Sequence, residues 1–232
     1  MAKPMININA NQKFQGYLTL PESGSGPGLL LIQEIFGVNN HIQNVADNYA
    51  KQGYVVLAPD LFYRLEPGFT SGYEPAEMTK AFKYYQEFNE ELGLIDLQEA
   101  LTYLKKLPYC TGKLAVLGYC LGGKLTYRLA TKSKDIAAAV SYYGGGIDHF
   151  LNDIDNLNCP IIFHFGAKDS HIPLTAVTQI KEAIKHKNSC AVYIYDADHG
   201  FNCNERGSYD ASSAQIALER SLSFMKSITG PA

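Results

Sequence analysis

The chain has 232 residues, 46% hydrophobic and 19% charged, a balance that fits a globular fold with a sizeable core in a single domain spanning 1–232. A net charge of −3 with no broad basic footprint excludes nucleic acid as an expected partner, and the absence of any apolar run near 18 residues excludes a membrane span. Five cysteines without CxxC spacing argue against a disulfide framework and a zinc cluster, and the first residues lack the apolar core of a secretory signal, so the expected location is a reducing cytoplasm.

Residues 5–9 and 14–20 alternate well enough for two strands at an antiparallel edge. The stretch 21–27 is a turn by composition. Residues 28–32 form a continuous apolar run, as in a strand buried on both faces, and 33–37 close it. Spacing through Ile42, Val45, Ala46 and Tyr49 predicts a helix over 42–51, stopped by Gly53. Residues 54–58 make the next buried strand, ended by Pro59 and Asp60. From 61 to 75 the chain is rich in Gly, Pro, Tyr and Phe without period, which reads as an ordered loop fit to wall a pocket. Residues 76–107 are helical, with a break expected near Gly93. A strand over 114–119 leads to a helix over 121–132. Strands follow at 136–143, 160–165 and 191–195, with helices at 174–187 and 211–228. Buried strands alternating with helices predict an α/β fold, a mostly parallel sheet of about eight strands with helices on both faces.

Gly118-Tyr119-Cys120-Leu121-Gly122-Gly123 lies between the apolar run 114–117 and the helix that follows. The pattern is Gly-x-nucleophile-x-Gly on a strand-turn-helix, with sulfur where a hydroxyl is usual. Flanking glycines permit the sharp turn, and the helix N-terminus favours a thiolate. The plain alternative is a buried, inert cysteine beside a glycine turn. Ligands of open α/β sheets sit at the carboxyl ends of strands, and Glu34, Cys120, Asp169 and His199 all fall at such ends. The chain order Cys120, Asp169, His199 is nucleophile, acid, base, the order of α/β-hydrolases. An imidazole within reach takes the thiol proton, and a carboxylate at its far nitrogen fixes its tautomer.

Asp196 and Asp198 rival Asp169 by proximity to His199, but share its loop and read as residues that shape it. His164 lies within a strand and reads as a satisfied core residue. His171, near Asp169, could touch the pocket, but the reading preferred is an ordinary histidine without a role. Glu34, ending an apolar strand, is either half of a salt bridge or a group facing the nucleophile. Hydrolase logic makes the backbone N–H groups of Leu121 and Ile35 the oxyanion donors.

These residues resemble the dienelactone hydrolases (carboxymethylenebutenolidases) over nearly the whole length. The most specific pieces are Gln33-Glu34-Ile35-Phe36-Gly37, Ala58-Pro59-Asp60-Leu61, the Cys120 elbow, Tyr142-Tyr143-Gly144 and His199-Gly200-Phe201. The resemblance implies an α/β-hydrolase fold and hydrolysis of small lactones or esters through an acyl-enzyme. It makes Cys120 the nucleophile, His199 the base and Asp169 the acid. Glu34 is then the group that holds the resting thiol and takes its proton, and Leu121 and Ile35 are the oxyanion donors. It implies no metal and no organic cofactor. The chain departs from the family where a substrate carboxylate is gripped by two arginines and a tyrosine: Met78, Cys203 and Phe82 stand there. Methionine and cysteine do not replace a bidentate arginine. Candidate substrate contacts are therefore Arg64, Phe82, Tyr142 and Arg206. The expected partner is a small ester or lactone, and the expected state a monomer or small homo-oligomer. The competing readings are a thioesterase or broad carboxylesterase on the same triad, a non-catalytic small-ligand binder and, last, a redox cysteine.

Overall fold

The computed structural model describes residues 5–230. They fall into two compact units, 5–114 and 115–230. In the first, β1 (Met5–Asn9), β2 (Phe14–Thr19), β3 (Gly26–Ile32) and β4 (Val55–Pro59) lie in the order β1-β2-β4-β3. The two outer pairings, β1 with β2 and β2 with β4, are antiparallel, and β3 runs parallel to β4, as the alternating and continuous apolar patterns suggest. Every residue of β3 and β4 is buried. Burying an aliphatic side chain of the kind at Leu29, Leu30, Leu31 and Ile32 contributes about 1.5–3 kcal/mol before conformational entropy is charged.

Helix α1 (Asn40–Lys51) carries the chain from β3 to β4, as a parallel pair requires. Asn39 caps it by accepting the Ile42 N–H at 3.2 Å, and Ile42, Ala46 and Tyr49 form its buried face. The segment 61–74 is held by bonds to several parts of the first unit, among them a buried carboxylate at its start and Asn39, which donates to the Ser71 carbonyl at 3.1 Å. Asp60, 2% exposed, accepts the N–H of Phe62 at 3.1 Å and of Gly68 at 2.7 Å. Burial raises its pKa to about 6, against the pull of those two donors. Phe62, Phe69, Tyr84 and Phe88 then pack ring to ring above it.

The expected helix over 76–107 is two helices, α2 (Pro75–Glu87) and α3 (Glu90–Lys106), and the break is at residues 88–89 rather than near Gly93. Asn89 caps α3, its side chain accepting the Leu92 N–H at 3.0 Å. Gly93 is an interior helical residue whose role is space: a Cβ there would lie 2.3 Å from Phe88 Cζ. The glycine marks where the ring lands, not where the helix stops.

β5 (Cys110–Tyr119) starts four residues earlier than its apolar run and continues into the second unit. There the order is β5-β6-β7-β8, with β6 (Ile136–Tyr142), β7 (Ile161–Gly166) and β8 (Ala191–Tyr195) parallel to one another. Helices α4 (Leu121–Lys132) and α6 (Ala211–Thr229) both pack on β6, and α5 (Leu174–Ala183) packs on β8. A 3-10 segment over Ile147–Asn156, not anticipated from the sequence, lies against α4 and α5. Among the described residues no helix is long and apolar enough to cross a membrane.

Candidate active site

β5 delivers Cys120 into a turn that few side chains tolerate. Its backbone has φ 54° and ψ −115°, a conformation that costs on the order of 1–3 kcal/mol and is held by its surroundings. The Cys120 N–H donates to the Tyr142 carbonyl at 3.0 Å, and its own carbonyl accepts the Lys124 N–H at 3.2 Å. The glycines of the motif are there for close approach. A Cβ at Gly118 would lie 2.1 Å from the Gly122 carbonyl oxygen, and one at Gly123 2.4 Å from that of Tyr142. Hydrogen at Gly118 lets the strand fold back on the first turn of its own helix, and hydrogen at Gly123 lets that helix press against the end of β6. Cys120 is the residue before α4 and remains partly exposed, so the sulfur combines a helix N-terminus with access for a ligand. Leu121, 2% exposed, is the first residue of α4, and its N–H is among those a helix does not use internally.

The acid and the base come from loops that are tied together. After β7, the Ala167 N–H donates to the Tyr195 carbonyl at 2.7 Å and the Lys168 N–H to the Ala197 carbonyl at 3.0 Å. Asp169 Oδ1 accepts the N–H groups of His171 at 2.8 Å and Ile172 at 3.1 Å, which aims Oδ2 at His199 Nδ1, 2.7 Å away. Both side chains are enclosed, 0% exposed for Asp169 and 10% for His199. The rivals have other work: Asp198 Oδ1 accepts the His199 N–H at 2.6 Å, and Asp196 pairs with Lys168 at 2.9 Å in solvent.

With Nδ1 on Asp169, the other side of the His199 ring hydrogen-bonds Cys120. Burial alone would pull the imidazole pKa down. The charge of the Cys120 thiolate and the hydrogen-bonded Asp169 carboxylate outweigh burial and push it up to about 10. Two rings lie against His199, Tyr143 at 5.0 Å between centroids and His171 at 5.1 Å. Nearness to Asp169 raises a pocket contact for His171 in the sequence, where the plain reading is preferred; its ring does lie against His199.

The remaining candidates stand as follows. Glu34 and Ile35 follow β3 directly in the first unit, 0% and 5% exposed. Arg64 is committed to Asp96 through Nε at 2.9 Å and Nη2 at 2.6 Å. Phe82 is 44% exposed on α2, and Met78 is half-buried one turn before it. Tyr142 is wholly buried, with its hydroxyl 2.7 Å from Ser221 Oγ, so its side chain belongs to the core. Arg206 is half-buried, and its guanidinium occupies the space a side chain would need at Gly200, the residue after His199.

Three comparisons bear on this geometry. The model of the dienelactone hydrolase family matches residues 14–229. The carboxymethylenebutenolidase of Pseudomonas putida is 34% identical over 207 residues, covering 88% of this chain and 87% of its own. That of Pseudomonas sp. strain P51 is 32% identical over 224 residues, covering 95% and 93%. The crystal structure of a Klebsiella pneumoniae protein assigned to the dienelactone hydrolases superposes with a TM-score of 0.80 at 28% identity, covering 91% of this chain and 92% of that one.

Proposed function

The chain belongs to the dienelactone hydrolase family, and on that premise we propose that it hydrolyses small lactones or esters with Cys120 as nucleophile, His199 as proton carrier and Asp169 as the acid that orients it. The fold is the α/β-hydrolase fold of its relatives. The observation that carries the mechanism is the pairing at His199: one ring nitrogen on Asp169 at 2.7 Å, the other side on Cys120, and a pKa near 10.

The steps follow from that charge state. The Cys120 thiolate adds to the substrate carbonyl, and the oxyanion takes the Leu121 N–H at the start of α4. The family resemblance makes Ile35 N–H the second donor and Glu34 the group that manages the resting thiol proton. The carbonyl re-forms, the C–O bond breaks, and the His199 imidazolium gives its proton to the leaving alkoxide. The neutral imidazole then takes a proton from water as the water attacks the thioester. Collapse of the second intermediate breaks the C–S bond, releases the acid product and frees the Cys120 sulfur for the next turnover. Asp169 keeps the ring oriented throughout, its own position fixed by two N–H groups on Oδ1.

The test is turnover of an activated aryl ester by wild type and Cys120→Ala, with intact-mass detection of the acylated protein. Loss of at least about 10³ in kcat/KM and loss of the adduct are the expected results; turnover at the wild-type rate by the variant refutes the nucleophile.

A broad esterase or thioesterase on the same triad is the second reading. It is favoured by Met78, Phe82 and Cys203 at the positions of the family's carboxylate grip and by the commitment of Arg64 to Asp96. Arg206 is the cationic candidate that remains beside the His199 loop. A kinetic panel of anionic lactone, neutral acyl ester and acyl thioester separates the readings: preference for the neutral substrates selects the broad enzyme.

A further inference from the structure

We infer that His171 is a positioning residue that holds two members of the triad at once, the acid through its main chain and the base through its ring. The inference rests on the triad reading above and extends it to a residue outside the three.

His171 N–H donates to Asp169 Oδ1 at 2.8 Å, so the backbone of this residue fixes the carboxylate that meets His199. Its side chain turns back over the loop and sets its ring edge-on to the His199 ring, with centroids 5.1 Å apart and planes at 76°. Ile172, 2% exposed, anchors the next position, donating to the same Oδ1 at 3.1 Å and lying 3.5 Å from the Cβ position at Gly145. The turn that carries His171 is therefore held from both sides.

The Nδ1 hydrogen bond to Asp169 fixes the tautomer and one vertex of the His199 ring. It does not prevent the ring from swinging about that vertex, away from Cys120. His199 has to serve three atoms in succession: the Cys120 sulfur, the leaving oxygen and the attacking water. Each transfer needs the ring nitrogen in line with its partner, and a misplacement of about 1 Å costs on the order of a hundredfold in rate. Ring contacts set the limits of the swing. Tyr143, 0% exposed at the end of β6, is a rigid wall that also packs on Phe201 at 5.4 Å. His171 is the solvent-exposed ring, and the inference assigns it the stop on that side. Shape, not titration, is its contribution, so another planar ring serves in its place.

The test compares wild type, His171→Ala, His171→Phe and His171→Gln on one neutral activated ester, with Cys120→Ala run in parallel. His171→Ala is expected to lower kcat about tenfold with KM within about twofold, and His171→Phe to recover most of the loss while His171→Gln does not. Unchanged kcat in His171→Ala overturns the inference. Equal losses in the alanine, phenylalanine and glutamine variants also overturn it, because they assign the effect to a ring nitrogen. A rise in KM with constant kcat overturns it in favour of a substrate contact. Activity surviving in Cys120→Ala refutes the triad reading itself, and the two failures are thereby told apart.

Discussion

His164 and His199 are both buried histidines of the second unit, one within β7 and one in the loop after β8, and their charges are opposite in kind. Burial draws both pKa values down. At His164 nothing anionic opposes it, Arg220 adds to it, and the value falls to about 3. At His199 a thiolate and a carboxylate reverse it, and the value climbs to about 10. The surroundings of His164 form a closed neutral network. Ser221 Oγ donates to the Ala217 carbonyl at 2.8 Å, so it accepts from the Tyr142 hydroxyl at 2.7 Å and from His164 Nε2 at 3.0 Å. His164 Nδ1 then accepts the Tyr195 hydroxyl at 2.8 Å, whose oxygen takes Arg220 Nη1 at 3.1 Å. Every polar atom of the ring is satisfied and no proton has cause to move. Enclosure is common to the two sites; the anion on each side of the ring is what makes His199 fit for chemistry.

The largest effect that sharpens this contrast is at the acid. Asp169→Asn leaves the loop in place but presents the wrong partner to Nδ1, and kcat is expected to fall by about 10²–10⁴ in steady-state ester hydrolysis. Next is the charge itself. Cys120→Ala removes the thiolate, and nuclear magnetic resonance titration of His199 is expected to move from about 10 toward the ordinary 6.5. A value that does not move breaks the assignment of the shift to Cys120.

Changes at His164 are expected to register in stability and not in turnover. His164→Phe takes the acceptor from the Tyr195 hydroxyl and a donor from Ser221 Oγ, and should cost about 1–3 kcal/mol in urea unfolding while kcat stays close to wild type. The acid limb follows from the same group. Its folded pKa of about 3 lies below the unfolded 6.5, so its contribution is present above 6.5 and is lost as pH falls toward 3. His199 runs the other way: its folded value is raised, and its contribution is complete below 6.5 and lost as pH rises through about 10. Unfolding free energies across pH 3–7 should therefore fall less steeply in His164→Phe than in wild type. Smallest is Arg220→Gln, which gives up a hydrogen bond to Tyr195 and a ring contact with Tyr193 at 4.3 Å, for about 0.5–1.5 kcal/mol in the same assay.

The frame of the site was legible because it is written in short-range patterns. Continuous apolar runs mark β3, β4, β6 and β7, and the glycines around Cys120 mark the elbow by the contacts they permit. Asp169 could be chosen over Asp196 and Asp198 from strand order alone, and its bond to His199 agrees. Features set by packing at a distance were not legible. Gly93 read as a helix break because a glycine in sequence does not say whether it bends the chain or admits a ring, and Phe88 lies on it. The order of 61–74 comes from scattered bonds, such as the two N–H groups on Asp60 and the Asn39 amide on Ser71, which have no periodic signature. Arg64 looked available to a substrate because its partner Asp96 lies 32 residues on, inside α3. For His171 the sequence shows nearness to Asp169 but not the ring contact, because its ring meets His199 only with β7 and β8 side by side.

The most direct measurement is a titration of both histidine rings by nuclear magnetic resonance in the resting wild-type protein. His199 is expected to stay an imidazolium up to about pH 10 while His164 stays neutral down to about pH 3. If His199 instead loses its proton near 6.5, its ring is not held by the Cys120 and Asp169 contacts that raise it, and the account of the site is wrong.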